Sequence, residues 1–168
     1  MTVVASAPGK IVLSGEYAVL DGGPAMSMAV DRRAVVTLED NTNGECSLST
    51  PGFAGDEKYR IIDAVCSGSR PEQNIVLDTR DFADDGKKTG IGSSAALTVA
   101  LIAGLNQSED VLSEALLAHR AFQGGAGSGV DVATAVHGGL IEFEMKSHLV
   151  TSFAWPEGLC LRVIWTGV

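Results

Sequence analysis

The chain has 168 residues, enough for one hydrophobic core and short for two. Hydrophobic residues make up 45% of it and charged residues 20%, which excludes a disordered or a collagen-like chain. A net charge of −9 leaves no field to hold a nucleic-acid backbone, so nucleic acid is not an expected partner and any anionic ligand must be gripped locally.

The first forty residues alternate short β-rich runs with Gly and Pro punctuation: strands are expected at 3–6, 10–14, 26–30 and 34–39, with a turn at Asp21-Gly22-Gly23-Pro24. A short strand at 46–49 follows, then a helix over 56–66 with apolar spacing at Tyr59, Ile62 and Val65 or Cys66, and a strand at 75–79. The polar stretch 80–88 leads into Thr89-Gly90-Ile91-Gly92-Ser93-Ser94, after which 95–105 is apolar on every side and reads as a buried helix.

A second helix is expected from Ser108 as N-cap, with Glu109 and Asp110 in its first turn and Leu112, Ala115, Leu116 and His119 along one face. A third begins near Ser128 and runs to about His137, where Gly138-Gly139 stops it. Strands at 140–144, 149–153 and 161–165 close the chain. Strands, then helices, then strands imply an α+β two-layer sandwich: a mixed or antiparallel sheet with helices packed on one face. Residues 1–168 read as a single domain, and the apolar finish at 162–168 as a truncation or the first half of something longer.

Cys46, Cys66 and Cys160 are odd in number and widely spaced, which suits ordinary reduced thiols. Without a signal-like N-terminus or an apolar run near the roughly 18 residues of a membrane span, the expected place is the cytoplasm.

Lys88-Thr89-Gly90-Ile91-Gly92-Ser93-Ser94-Ala95 is the most informative stretch. Glycines let backbone approach a ligand, and the helix that follows turns its free N–H groups and positive end toward the loop. Ser93 and Ser94 add hydroxyls suited to a phosphate oxygen or Mg²⁺, and Lys87 and Lys88 add local positive charge. The competing reading is a plain turn and helix cap. No GxxxxGK[ST] string exists, which removes a Walker-type loop. Gly90-Ile91-Gly92-Ser93-Ser94-Ala95 does satisfy GxGxxG/A, with Asp110 about twenty residues on. The nine mostly polar residues ahead of the loop, and the place of Asp110 in a helix start, argue against a dinucleotide-binding unit.

Gly124-Gly125-Ala126-Gly127-Ser128-Gly129-Val130-Asp131 is a second glycine-rich approach to a helix. Asp131 could take or orient a substrate hydroxyl proton if a cation holds it ionised; equally, Ser128 and Asp131 fit a capping box. In Ala7-Pro8-Gly9-Lys10-Ile11-Val12-Leu13-Ser14, strand alternation puts Lys10, Val12 and Ser14 on one face and Ile11 and Leu13 on the other, and a lysine so placed wants an anionic partner; an edge-strand lysine or a mate for Glu16 are the alternatives.

Taken in order, these three segments resemble the N-terminal half of the GHMP kinases. Ala5-Ser6-Ala7-Pro8-Gly9-Lys10 with Gly15-Glu16-Tyr17-Ala18 is similar to the first family motif, Gly90 to Ala96 to the ATP-phosphate loop, and Gly127-Ser128-Gly129-Val130-Asp131 to the segment bearing the catalytic aspartate. Gly15-Glu16-Tyr17 leans toward phosphomevalonate kinases, with mevalonate kinases next.

The resemblance implies ATP-dependent transfer of a γ-phosphoryl group to phosphomevalonate or mevalonate in isoprenoid precursor synthesis, with Mg²⁺ as the metal. It implies Lys10 and Asp131 as catalytic residues and Lys88, Gly90, Ile91, Gly92, Ser93, Ser94 and Ala95 at the nucleotide. Glu16, Tyr17, Gly127 and Ser128 would meet the substrate, and Ser94 the metal. Gln123-Gly124-Gly125-Ala126 replaces an acidic metal ligand expected in mevalonate kinases and a lysine frequent in phosphomevalonate kinases; Arg32, Arg33, His119 and Arg120 are candidate substitutes for holding a substrate phosphate. The family has a second domain that closes the cleft. Its absence here implies weak nucleotide binding, poor turnover and an exposed apolar surface prone to self-association. The alternatives are a non-catalytic nucleotide-binding module, a fragment of another member of the family, and a Rossmann-type oxidoreductase domain.

Overall fold

The computed structural model describes residues 1–52, 57–105 and 109–167, with side chains of 57 and 58 left aside. Its strands are β1 (Thr2–Ser14), β2 (Pro24–Asp40), β3 (Ser47–Ser49), β4 (Gln73–Asp78), β5 (Ala83–Asp84), β6 (Lys87–Lys88), β7 (Leu140–Glu144) and β8 (Leu149–Phe153). The helices are α1 (Glu57–Val65), α2 (Ser93–Leu105), α3 (Val111–Phe122) and α4 (Val130–His137). Asp56 and Ser108, expected at two helix starts, lie outside the described residues; Asp110 caps α3 instead, its carboxylate accepting from Ser113 N–H at 3.1 Å.

The four strands expected in the first forty residues are two long ones. β1 runs unbroken through Pro8-Gly9 because the register against β2 shifts there, a bulge that absorbs the proline. β2 continues through Asp31, Arg32 and Arg33, all exposed, because β1 pairs with it antiparallel on both sides of that stretch. The other edge of β2 is shared: β4 takes 35–40 and β7 takes 24–28, both antiparallel. β3 adds to β4 in parallel and β8 to β7 antiparallel, making a mixed six-stranded sheet. The polar stretch before the first glycine loop is a small β5–β6 hairpin.

The helices cover one face of the sheet. Ala34, Val36 and Leu38 of β2 are buried with Ile75 and Leu77 of β4 against the apolar barrel of α2, whose Leu97, Leu101 and Ile102 are likewise buried. A second cluster joins Val130 and Ala133 of α4 to Ala25, Ile141 and Phe143. The α+β sandwich expected from the sequence is the observed architecture.

Residues 161–165 are not a strand. Among the described residues no strand pairs with them, and Leu161, Val163 and Ile164 stay exposed, so an alternating pattern there has neither ladder nor core to join. Phe153, Trp155 and Leu159 are exposed on the same C-terminal stretch. Among the described residues no helix is long and apolar enough to cross a membrane.

Candidate functional site

The site is assembled where three chain segments converge on β1. At the bulge, Gly9 brings the backbone so close to the first glycine loop that an added Cβ would stand 2.6 Å from Ile91 O and 2.7 Å from the Phe82 ring. That approach lets Lys10 N–H donate to Ile91 O at 2.8 Å, which fastens the loop to the strand edge. Gly92 then turns with φ +84°, and a Cβ on it would meet the Lys10 side chain at 3.1 Å and the Asp131 carboxylate at 3.7 Å.

The amides of the loop are left over. Thr89 N–H closes back on Phe82 O and Ala96 N–H begins the helix on Gly92 O. Between them, among the described residues, the N–H groups of Gly90, Ile91, Gly92, Ser93, Ser94 and Ala95 have no protein acceptor. Free donors at the start of a buried 13-residue helix form an anion-binding surface.

Asp131 stands in the first turn of α4. The capping-box alternative is not what forms: Gly129 occupies the cap with φ +86°, no side chain caps the helix, and Ser128 Oγ accepts from Val130 N–H at 3.4 Å. Freed of that task, the Asp131 carboxylate pairs with Lys10 Nζ at 3.0 Å, with side-chain exposures of 31% and 16%. A cleft of about 360 Å³ opens on this carboxylate, lined also by His119, Gln123, Gly127, Ser128 and Gly129. The same five residues border a neighbouring hollow of about 700 Å³ that reaches Leu116, Val132 and Met145.

Behind the loop, Ser94 Oγ and His119 Nε2 are 3.1 Å apart. His119 is 4% exposed; burial lowers its pKa, and the charge of Asp131 offsets part of that shift. Of the four candidates for a substrate phosphate it is the buried one, and it lines the cleft beside Asp131. Its position on the apolar face of α3 with Leu112, Ala115 and Leu116 was the available signal. Arg33 is elsewhere, bonded through Nε and its second terminal nitrogen to Ser6. Arg32 is exposed on β2, and Arg120 bonds Gly125 O at 3.1 Å, tying down the second glycine loop.

The remaining expected residues divide. Gly127 and Ser128 line the Asp131 cleft, and Lys88 lies exposed on β6 just ahead of the loop. Glu16 and Tyr17 follow the end of β1 beside a short 3₁₀ turn at Ala18–Asp21, where Tyr17 is 79% exposed; neither lines the cleft. Asp110 caps a helix and the loop follows a hairpin, so the Rossmann alternative fails on both of its elements.

For Mg²⁺ the donor chemistry fits in one respect. Ser94 offers a hard hydroxyl oxygen at the loop, and Mg²⁺ takes most of its ligands from phosphate and water. Among the described residues no group of three or more His, Cys, Asp or Glu could hold a metal.

Residues 81–139 match the family model described as GHMP kinases N terminal domain. The chain is 28% identical to the phosphomevalonate kinase of Streptomyces sp. (strain CL190), covering 99% of this chain and 62% of that protein. It is 32% identical to the phosphomevalonate kinase of Saccharolobus solfataricus over 81% of this chain and 47% of the relative. It is also 32% identical to the mevalonate kinase of Thermococcus sibiricus over 88% and 53%. Of solved structures, the Lin0012 protein from Listeria innocua superposes with a TM-score of 0.71 at 29% identity, covering 86% of this chain and 48% of that one. The mevalonate kinase of Methanococcus jannaschii shares the fold, with a TM-score of 0.68 at 20% identity over 92% and 56%. The chain spans about half the length of the curated relatives it matches.

Proposed function

We propose that this chain, which carries the GHMP kinase fold and the N-terminal domain match, is the nucleotide-holding and catalytic half of an ATP-dependent kinase acting on phosphomevalonate or mevalonate. One observation carries the reading: the Lys10–Asp131 ion pair at 3.0 Å lies directly under Gly92, in a loop whose Gly90 to Ala95 amides have no protein acceptor among the described residues. The neighbouring relatives add the acceptor class, being named phosphomevalonate and mevalonate kinases.

Phosphoryl transfer asks for positioning and charge neutralisation more than for covalent help. In this reading the N–H groups of Gly90 to Ala95 donate to the β- and γ-phosphate oxygens of ATP, while Lys88 adds positive charge at the mouth. Ser94 Oγ holds Mg²⁺, which when bound neutralises phosphate charge. Asp131 accepts the proton of an acceptor hydroxyl as that oxygen bonds to the γ-phosphorus and the bond to the departing ADP oxygen breaks. Lys10 pairs with Asp131 and polarises the acceptor oxygen. For an acceptor that is itself a phosphate, the attacking oxygen is already ionised near neutral pH, and Asp131 acts as an orienting group. Gly127 and Ser128 flank the acceptor in the cleft, and Glu16 and Tyr17, outside it at the end of β1, meet only a part of the acceptor that reaches beyond it. The site works in the cytoplasm, and a second domain, or another copy, covers the exposed C-terminal apolar residues.

Calorimetry with Mg·ATP on the wild-type chain, Lys10→Ala and Ser94→Ala tests this. The expected result is measurable binding, weakened in both variants. Binding that is absent, or that both substitutions leave unchanged, contradicts the proposal.

A further inference from the structure

One buried group has no task in the reaction as written. His119 is stacked on Phe122 with ring centroids 6.0 Å apart at 29°. Phe122 is itself held by Arg60, whose guanidinium lies 5.3 Å over its ring and donates to its carbonyl at 2.7 Å. The imidazole is thus fixed in orientation, with Nε2 3.1 Å from Ser94 Oγ.

A hydroxyl has one hydrogen and two lone pairs, so the direction of its hydrogen decides what else its oxygen can do. If Nε2 carried the ring hydrogen, Ser94 would spend a lone pair on His119 and turn its own hydrogen toward the cleft, where it would oppose a cation. If Nε2 is bare, the ring takes the hydroxyl hydrogen and the lone pairs remain for the cleft. Thr98 of the same helix offers a comparison. A helical serine or threonine commonly donates to the carbonyl four residues back, and Thr98 does so, to Ser94 O at 2.9 Å. Ser94, in the first turn, has no helical carbonyl four residues back, and with a bare Nε2 His119 is the acceptor within reach of its hydrogen.

We propose that His119 is a positioning residue for the nucleotide-bound metal: its bare Nε2 accepts the Ser94 hydroxyl hydrogen and turns that oxygen's lone pairs toward Mg²⁺. The inference rests on the kinase reading above, in which Ser94 is the metal's protein ligand. Partners of this kind, behind a ligand, commonly change metal affinity about 10–100-fold.

Two measurements on the chain as it stands decide it. Nitrogen-15 and carbon-13 NMR of the histidine rings, with the His119 signals assigned by their loss in His119→Gln, reads the tautomer without nucleotide. The Nδ1–H tautomer is expected; the Nε2–H tautomer overturns the inference and leaves the kinase reading intact. Calorimetry with ATP, with and without Mg²⁺, is then run on His119→Phe and His119→Gln. The phenylalanine variant is expected to lose about tenfold in affinity only when Mg²⁺ is present, and the glutamine variant, whose amide oxygen can accept the same hydrogen, to retain most of it. An equal loss with and without Mg²⁺ overturns the positioning role. Failure of the wild-type chain to bind ATP overturns the kinase reading and this inference together. Should His119→Phe not fold, the tautomer of the wild-type ring decides alone.

Discussion

Two glycine-rich segments precede helices in this molecule, and they differ in how many of their backbone donors the protein itself uses. In the second, Gly124 N–H closes on Ala121 O, Gly125 N–H on Arg120 O and Val130 N–H on Ser128 Oγ. Those donors end one helix and begin the next, whereas the N–H groups of Ala126 to Gly129 between them have no protein acceptor among the described residues. Gly129 is pressed to 2.4 Å, at its absent Cβ, from Leu116, and Gly127 to 2.3 Å from Gln123. In the first, the loop is fastened by a carbonyl, Ile91 O, which leaves the donors of Gly90 to Ala95 for something else. Glycine count alone does not mark a phosphate loop; the first segment adds an unbroken run of free donors, Gly90 to Ala95, that leads directly into a buried helix. The second segment contributes a side chain, Asp131, and the first contributes backbone.

That division can be broken deliberately. The largest expected effect comes from Asp131→Asn, which keeps size and removes charge. Phosphoryl transfer to the acceptor in a single-turnover assay should fall about 10²–10⁴-fold, while Mg·ATP binding to the first loop changes little. A parallel loss of both would mean that the two segments are not separable.

Gly9→Ala attacks the other side of the comparison. The added methyl meets backbone at Ile91 O, which cannot swing away as a side chain can. Overpacking of this kind costs about 1–3 kcal/mol, and the loop should leave β1, weakening Mg·ATP binding along with denaturant stability. Gly129→Ala should cost about 1–2 kcal/mol, from its φ of +86°, with Leu116 shifting to make room. It should lower stability without loosening the nucleotide. Gly124→Ala, at φ +74° with open space around it, should cost only the backbone term of about 1 kcal/mol, and equilibrium unfolding separates it from the other two.

The smallest effect is a pH slope. Burial holds the His119 pKa below the ordinary histidine value of about 6.5, so as pH falls the unfolded chain takes up this proton before the folded one does. Stability from this group is whole above about pH 6.5 and declines below it. Denaturation midpoints measured between pH 5 and 7 should show the decline, and His119→Gln should flatten it.

The sequence made much of this visible, and the failures have physical causes. Helix α2 was legible because it is apolar all round, and the shared face of Lys10 and Val12 because strand alternation is strict where the register holds. The unbroken length of β1 and β2 was not, since a bulge at Pro8-Gly9 and a charged stretch at Asp31, Arg32 and Arg33 read locally as turns and are carried by the partner strand. The apolar alternation at 161–165 looked like a strand because pattern cannot report whether a neighbouring edge exists. His119 was placed on the apolar face of a helix and still weighed as a surface cation, because helical spacing alone does not say which loop that face will meet. Here it meets Ser94.

The central claim concerns amides, and amides can be observed one by one. A ¹H–¹⁵N titration of the chain with Mg·ATP should shift the signals of Gly90 to Ala95 most strongly and leave those of Gly124 and Gly125, already bonded within the protein, nearly in place. Shifts confined to the second glycine segment, or no shift at the first under saturating nucleotide, would contradict the account.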